Sequence, residues 1–308
     1  MGRRSRLAPS PTGALHLGNT CTFFINWALA RQNNWELILR MEDLVGPRID
    51  RSTINDTLQL LSWLELDWDG DMILQSENLT PYRQEIERLR SVEKVYHCDL
   101  SRKEIELVAS APHADDPFGK EYIRPDDVNA HNSTWNGSPT NWRFIVSDGP
   151  HIVQDRLRGT IAYQHLDDFV VWTRTDMPAY QLAVVVDDAR EGITDVVRGS
   201  DLLESAAWQA QLYKQLGTNP PNWWHLPLVI GEDGRRLAKR HGDTRLRTYQ
   251  NEGLSPHKII GLVAKWCHLI DSRASLSANE FLSVFDISKV PVEDIVYTEE
   301  DTQWLHES

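Results

Sequence analysis

Apolar residues recur on a helical period through NTCTFFINWALARQ (residues 19–32), uninterrupted by proline or glycine, and this spacing predicts a helix. WELILRMEDL (35–44) is instead a near-continuous apolar run ending in Glu42 and Asp43, the pattern of a strand buried on both faces of a parallel sheet. ITDVVRGSD (193–201) is a second such run, ending in Arg198 and Asp201. It leads into LLESAAWQAQLYKQLG (202–217), an amphipathic helix with Gly217 placed to cap its carboxyl end. A third apolar stretch, WHLPLVI (224–230), follows. Strands alternating with helices predict an α/β, doubly wound architecture.

The middle of the chain reads differently. From about Val95 to Asp168 it is richer in Pro, Asp, Asn and Gly, with shorter, more alternating strands such as NWRFIVSDG and HIVQDRLRGT. This predicts an inserted α+β subdomain that splits the core. After about Leu254 the tail reads as mainly helical. The expected divisions are 1–94 and 169–224 for the two halves of a catalytic domain, 95–168 for the insert and 225–308 for a loop and helical segment.

Composition narrows the class. The 308 residues are 41% hydrophobic and 25% charged, which suits a globular protein with a real core and excludes a disordered chain. No apolar run is long enough to span a bilayer, and MGRRSRLAPS lacks the apolar stretch of a secretory signal. Cys21, Cys98 and Cys267 are odd in number and far apart, which points to reduced thiols in a cytoplasm. The net charge of −13 argues against broad nucleic-acid binding, although GRRLAKRHGDTRLR (234–247) forms a dense basic segment.

The stretch RLAPSPTGALHLGN (6–19) lies between the apolar start of the chain and the helix predicted from Asn19. Strand, glycine-bearing turn and helix amino terminus together suit an anion such as phosphate. Doubly wound sheets bind ligands beyond the carboxyl ends of their strands, and Pro9–Gly13, Glu42 with Asp43, and Arg198 with Asp201 fall at three such ends. Acid and base gathered there suit a small zwitterion beside a nucleotide. The residues by themselves reach a nucleotide-using α/β enzyme and no named substrate.

The same stretch closely resembles the first motif of class I aminoacyl-tRNA synthetases in its glutamate-specific form, with the HIGH tetrad present as His16-Leu17-Gly18-Asn19. The KMSKS motif is matched by Arg236-Leu237-Ala238-Lys239-Arg240. LRMED (39–43), PAYQLAVVVDDAREGITDVVRGSDLL (178–203) and HLPLVIGEDGRRLAKRHG (225–242) complete five blocks in the family's order. The wording of the fourth block is nearest to the shortened paralogues of glutamyl-tRNA synthetase, which glutamylate the queuosine base at the wobble position of tRNA(Asp). The resemblance implies a Rossmann-like class I core without an anticodon-binding domain.

The resemblance further implies that the enzyme activates L-glutamate with ATP and Mg²⁺ to glutamyl-adenylate. Because the attacking group is the substrate's own carboxylate, catalysis is alignment and charge stabilisation at the α-phosphate. By this carry-over His16 and Lys239 are catalytic, and Gly13, His16, Gly18, Asn19 and Lys239 bind ATP. Arg6, Leu7, Ala8, Pro9, Ser10, Glu42, Tyr180 and Arg198 form the glutamate pocket. The two arginines suit the carboxylates, Glu42 suits the ammonium, and Tyr180 supplies a hydroxyl and an apolar wall.

Two departures stand out. The family often carries zinc in the insert, but VYHCDLSRKEI keeps only Cys98, with Leu100 at the second position and Ile123 at the third. One thiolate cannot build a tetrahedral site, so no metal site is expected, and His97 and His113 read as surface histidines. Trp208 stands where the paralogues tend to carry Arg. The expected partners are glutamate, ATP and the tRNA(Asp) anticodon stem-loop, with a monomeric, cytoplasmic enzyme and no membrane contact. A truncated glutamyl-tRNA synthetase charging a tRNA 3′ end, or a catalytically silent RNA-binding paralogue, are the alternative readings.

Overall fold

The computed structural model describes residues 2–11, 15–44, 51–98, 124–235, 237 and 244–307. Strand β1 (Arg4–Leu7) is followed by helix α1 (Leu17–Gln32) and β2 (Glu36–Met41). β1 and β2 pair in parallel, Arg4 opposite Glu36 and Leu7 opposite Leu39. Buried residues surround α1 on every side, as expected of a helix that is apolar all round. Its one central polar group is used: Asn26 accepts from Ser5 Oγ at 2.8 Å and donates to Arg6 O at 2.9 Å, clamping the helix to β1.

Helix α2 (Arg51–Trp63) leads to the short β3 (Ile73–Leu74), parallel to β2, and α3 (Thr80–Ser91) follows. Next come β4 (Val95–Cys98), α4 (Val128–Ser133), β5 (Asn141–Phe144), β6 (His151–Asp155), β7 (Gly159–Tyr163) and β8 (Phe169–Trp172). α5 (Tyr180–Arg190), β9 (Asp195–Gly199), α6 (Leu203–Leu216) and β10 (Asn222–Leu226) return the chain to an α/β rhythm. Gly217 closes α6 in the left-handed conformation at φ 71°, the role its position predicts.

Two parallel arrays meet at β1. One runs β1-β2-β3, and the other runs β7-β6-β10-β9 with β6, β10 and β9 parallel. Thr194 N donates to Arg4 O at 2.9 Å, seating the start of β9 beside β1. Strand order therefore reverses between β1 and β9, which is the switch point where doubly wound folds open a ligand crevice.

Strand pairing crosses the expected 168/169 division in both directions. β8 joins β4 and β5 in an antiparallel sheet, while the β6–β7 hairpin pairs with β10 through Asp155 opposite Trp223. The tail carries α7 (Leu246–Asn251), α8 (Pro256–Trp266), α9 (Ala278–Val284) and α10 (Glu299–His306). It also returns one short strand, β12 (Ile295–Val296), parallel to β11 (Val229–Ile230). None of the three cysteines is in a disulfide; Cys21 and Cys267 lie buried with their sulfurs 4.0 Å apart. Among the described residues no helix is long and apolar enough to cross a membrane.

Candidate active site

His16 is the amino-terminal cap of α1. Its Nδ1 accepts from Gly18 N at 3.2 Å, and Asn19 Oδ1 accepts from His16 N at 3.1 Å. A neutral imidazole accepting at Nδ1 carries its proton at Nε2. Gly18 makes room for that ring: a Cβ there would stand 3.0 Å from His16 Cε1. The segment around His16 is tied to the residues that follow the second motif. Leu17 N donates to Thr244 O at 3.0 Å and Leu246 N donates to Leu15 O at 2.8 Å. Leu237, inside the second motif, is buried and donates to Val229 O at 3.3 Å. Gly13, Arg236, Ala238, Lys239 and Arg240 lie outside the described residues.

Arg6 ends up almost wholly buried at the carboxyl end of β1, where its Nε donates to Asp188 Oδ1 at 3.2 Å. The same oxygen accepts from Arg40 Nη1 at 2.8 Å, and Arg40 also pairs with Glu191 at 2.7 Å and with Glu42 at 3.2 Å. Arg6, Asp188, Arg40 and Glu42 are thus one alternating-charge network. Burial raises the Asp188 pKa, but Arg6 and Arg40 outweigh it and hold the carboxyl below its usual range. Burial wins at Glu42, whose pKa is raised despite Arg40 and Arg6. The backbone of the first motif closes on Glu42: its N donates to Pro9 O at 3.1 Å, and Ser10 Oγ donates to its carbonyl at 3.2 Å. Ala8 is half-buried, while Leu7 is packed in the core, so only its backbone is available to a ligand.

Arg198, on β9 across the switch point, is buried to 5% exposure. Its Nε donates to His225 Nε2 at 3.1 Å, Nη1 to Gln209 Oε1 at 2.9 Å and Nη2 to Leu202 O at 3.2 Å. Its guanidinium stands over the Trp223 ring at 4.7 Å. Every acceptor is neutral, and among the described residues no carboxylate lies within ion-pair distance. Burial accordingly lowers its pKa. The Tyr180 hydroxyl is pushed up to about 12, first by burial and then by Glu42, while Arg198 and Arg6 pull the other way. The fields of Glu42, Arg198 and Arg6 therefore converge on one phenol.

The structure brings Arg6, Glu42, Tyr180 and Arg198 to the switch point, with His16 at the adjoining helix terminus. Sequence reasoning did not find Arg40, Asp188, His225, Gln209 or Asp155, which support them. Tyr213 Oη also lies buried nearby without a hydrogen-bond partner among the described residues. Trp208 is a core residue, packed on Phe169 with ring centroids 5.6 Å apart. His97 departs from the surface expectation: it stacks on His131 at 4.1 Å, and each ring Nε2 bonds the other's carbonyl. His113, Leu100 and Ile123 lie outside the described residues, among which no three His, Cys, Asp or Glu are grouped to hold a metal.

Residues 3–304 match the family model described as tRNA synthetases class I (E and Q), catalytic domain. A Glutamyl-Q tRNA(Asp) synthetase of Rhodopirellula baltica is 44% identical over 287 residues, covering 88% of this chain and 87% of that one. Another of that name from Symbiobacterium thermophilum is 36% identical, covering 94% of each chain. The fold matches a crystal structure of a glutamate tRNA ligase from Elizabethkingia meningosepticum, with TM-score 0.79 and 26% identity over 99% of this chain and 69% of that one. On these matches, and with Arg6, Glu42, Tyr180 and Arg198 gathered at the β1/β9 switch point, the chain belongs to the catalytic domain family of the class I tRNA synthetases of the E and Q type.

Proposed function

We propose that the enzyme condenses L-glutamate with Mg²⁺-ATP to glutamyl-adenylate and transfers the glutamyl group to the queuosine base at the wobble position of tRNA(Asp). The observation that carries the amino-acid part is Arg198, a buried guanidinium supported, among the described residues, by neutral acceptors. A buried cation without an anion is costly, and a ligand carboxylate relieves that cost. Arg6 serves the other carboxylate and Glu42 the ammonium, with Tyr180 as wall and hydroxyl. Leu7, Ala8, Pro9 and Ser10 line the approach through backbone and small side chains. Asp188 pairs with Arg6 and Arg40, and Arg40 pairs with Glu42, so the network sets a cation and an acid side by side to meet a zwitterion.

On the nucleotide side, His16 donates through Nε2 to the phosphates as the glutamate carboxylate attacks the α-phosphate, and pyrophosphate leaves. Lys239 adds a flexible cation to the same phosphates. Gly13, Gly18 and Asn19 bind ATP, the two glycines letting adenine or ribose approach the backbone closely. Mg²⁺ accompanying ATP would be held by phosphate oxygens and water and would supply charge neutralisation at the phosphates. Zinc plays no part, since Cys98 stands without the second and third thiolates of the family's site.

The queuosine acceptor rests on two relatives that carry that name, 44% and 36% identical and matched over most of both chains. Queuosine offers cis-diol hydroxyls, chemically similar to the ribose hydroxyls that class I enzymes acylate. The basic segment Arg235–Arg247 then holds stem phosphates of the anticodon stem-loop, and the enzyme acts as a cytoplasmic monomer. The test is incubation with ATP, labelled glutamate and tRNA(Asp) with or without queuosine, followed by mapping of the label. Label on the wobble base is expected, and none when the tRNA has been treated with periodate beforehand. Label on the 3′ end of tRNA(Glu) with none on the wobble base would overturn the acceptor assignment.

A further inference from the structure

Arg6 and Arg198 are both buried guanidiniums, but among the described residues Arg6 donates directly to a carboxylate and Arg198 does not. Behind Arg198 stands an imidazole, and the carboxylate stands behind that: Asp155 Oδ2 lies 2.7 Å from His225 Nδ1. His225 has no exposed surface, and Asp155 is buried as well. A guanidinium offers only N–H groups, so His225 Nε2 must accept, and a neutral ring accepting there carries its proton at Nδ1. That proton goes to Asp155. Asp155 is fixed at both oxygens. Oδ1 takes Leu157 N at 3.0 Å and Arg158 N at 2.8 Å in the turn after β6, and Oδ2 also takes His225 N at 3.1 Å.

We propose that Asp155 and His225 are positioning residues for Arg198, fixing the guanidinium's orientation while leaving its charge for a substrate carboxylate. This rests on the reading that Arg198 binds glutamate. A carboxylate placed directly on Arg198 would hold the side chain too, but it would neutralise the cation and compete with the ligand. An imidazole locked in its neutral Nδ1–H form gives direction without neutralisation. Burial keeps the ring neutral, pushing its pKa down to about 4, with the charge of Arg198 acting in the same sense. Gln209 is oriented in the same neutral manner, its amide donating to Gln181 Oε1 at 2.7 Å.

Glutamine and asparagine separate the two edges of the imidazole. His225→Gln keeps an acceptor toward Arg198. His225→Asn keeps a donor toward Asp155 and withdraws that acceptor. The measurements are glutamate-dependent pyrophosphate exchange, calorimetric glutamate binding, KM for ATP and thermal midpoint. His225→Asn is expected to weaken glutamate binding and raise its KM about tenfold or more, as loss of a hydrogen bond to a charged group does. KM for ATP stays put, and His225→Gln loses much less although both variants unfold at similar temperatures. In an Arg198→Gln background His225→Asn adds nothing, because the group it acts through is gone.

Equal losses in the two variants, losses that track the thermal midpoint, or parallel changes in both KM values would overturn the proposal. Should neither variant fold, Asp155→Asn carries the test, since an amide no longer enforces the Nδ1–H tautomer. A rise in glutamate KM with ATP KM unchanged supports the proposal, and no rise sinks it. If Arg198→Gln itself leaves glutamate binding intact, the site reading falls. If Arg198 is required but the His225 and Asp155 variants are indifferent, only the positioning role falls.

Discussion

Asp188 Oδ1 accepts from Arg6 Nε at 3.2 Å, joining residues 182 positions apart with both side chains almost wholly buried. Because the same oxygen takes Arg40, this carboxylate is the counter-ion of two buried guanidiniums. Removing it takes the carboxylate from Arg6 and leaves Arg40 to Glu191 and Glu42, whereas a surface pair would lose little. Asp188→Asn, nearly isosteric, is expected to cost about 3–5 kcal/mol of stability, the range for a broken buried pair. Urea unfolding of the two proteins measures it. A variant as stable as the parent would mean that Arg40 is sufficiently held by Glu191 and Glu42 alone.

The depressed pKa of His225 sets a pH dependence whose sign is fixed. The ring titrates at about 4 when folded and near 6.5 when unfolded, so between these values the unfolded chain binds the extra proton. Its contribution to stability is complete above about pH 6.5 and is lost as pH falls toward 4, with a magnitude on the order of 3 kcal/mol. The groups facing it are Asp155 on the β6 side and Arg198 on β9, neither of which changes charge between pH 7.5 and 5.5. Wild-type stability should fall over that interval by more than that of His225→Gln. Parallel curves for the two proteins would show that the ring is solvated.

How these groups came together was only partly legible. β1, α1, β2, β9 and α6 follow from local periodicity, because each buries a face that its own residues define. Glu42 and Arg198 follow from the strand ends that the apolar runs predict, Arg6 and Tyr180 from motif wording, and the structure gathers all four at the switch point. Their supports were invisible for a physical reason. Arg40 sits inside an apolar run and reads as a strand residue, and Asp188 sits inside a helix. Asp155 meets His225 only because β6 leaves the expected insert to pair with β10, a register set by tertiary contact 70 positions away. Alternation along HIVQD indicates which face is buried but not which strand it will meet.

Gly261, in the middle of α8, gives a stability test away from the site. Glycine in a helix interior ordinarily costs up to about 1 kcal/mol relative to alanine, so Gly→Ala is usually favourable. Here a Cβ would fall 1.5 Å from the carbonyl oxygen of Ala274. That atom is backbone and cannot swing aside. Gly261→Ala should therefore destabilise by about 1–3 kcal/mol or more, as overpacking does, and lower the thermal midpoint. A rise in midpoint would show that the 274–275 segment yields readily.

His16 carries two roles that substitution can divide. As the cap of α1 it accepts from Gly18 N through Nδ1, and as a proposed catalytic donor it uses the opposite ring nitrogen. Asparagine caps helices about as well as any residue, yet it places no N–H where Nε2 lies. His16→Asn should therefore leave the thermal midpoint near that of the parent, whereas His16→Ala should cost about 1 kcal/mol for the lost cap. Both should slow glutamate-dependent pyrophosphate exchange by about two orders of magnitude, the loss typical of one donor aimed at developing charge. Lys239→Ala should slow it by about as much, for the same reason. These rates are to be taken without added tRNA, since the attacking carboxylate, the phosphates and the proposed donors are all present before an acceptor binds. Exchange that depends wholly on tRNA would favour a truncated synthetase charging a 3′ end. Exchange that survives His16→Asn while failing in His16→Ala would reassign His16 to the helix cap alone, leaving the phosphates to Lys239.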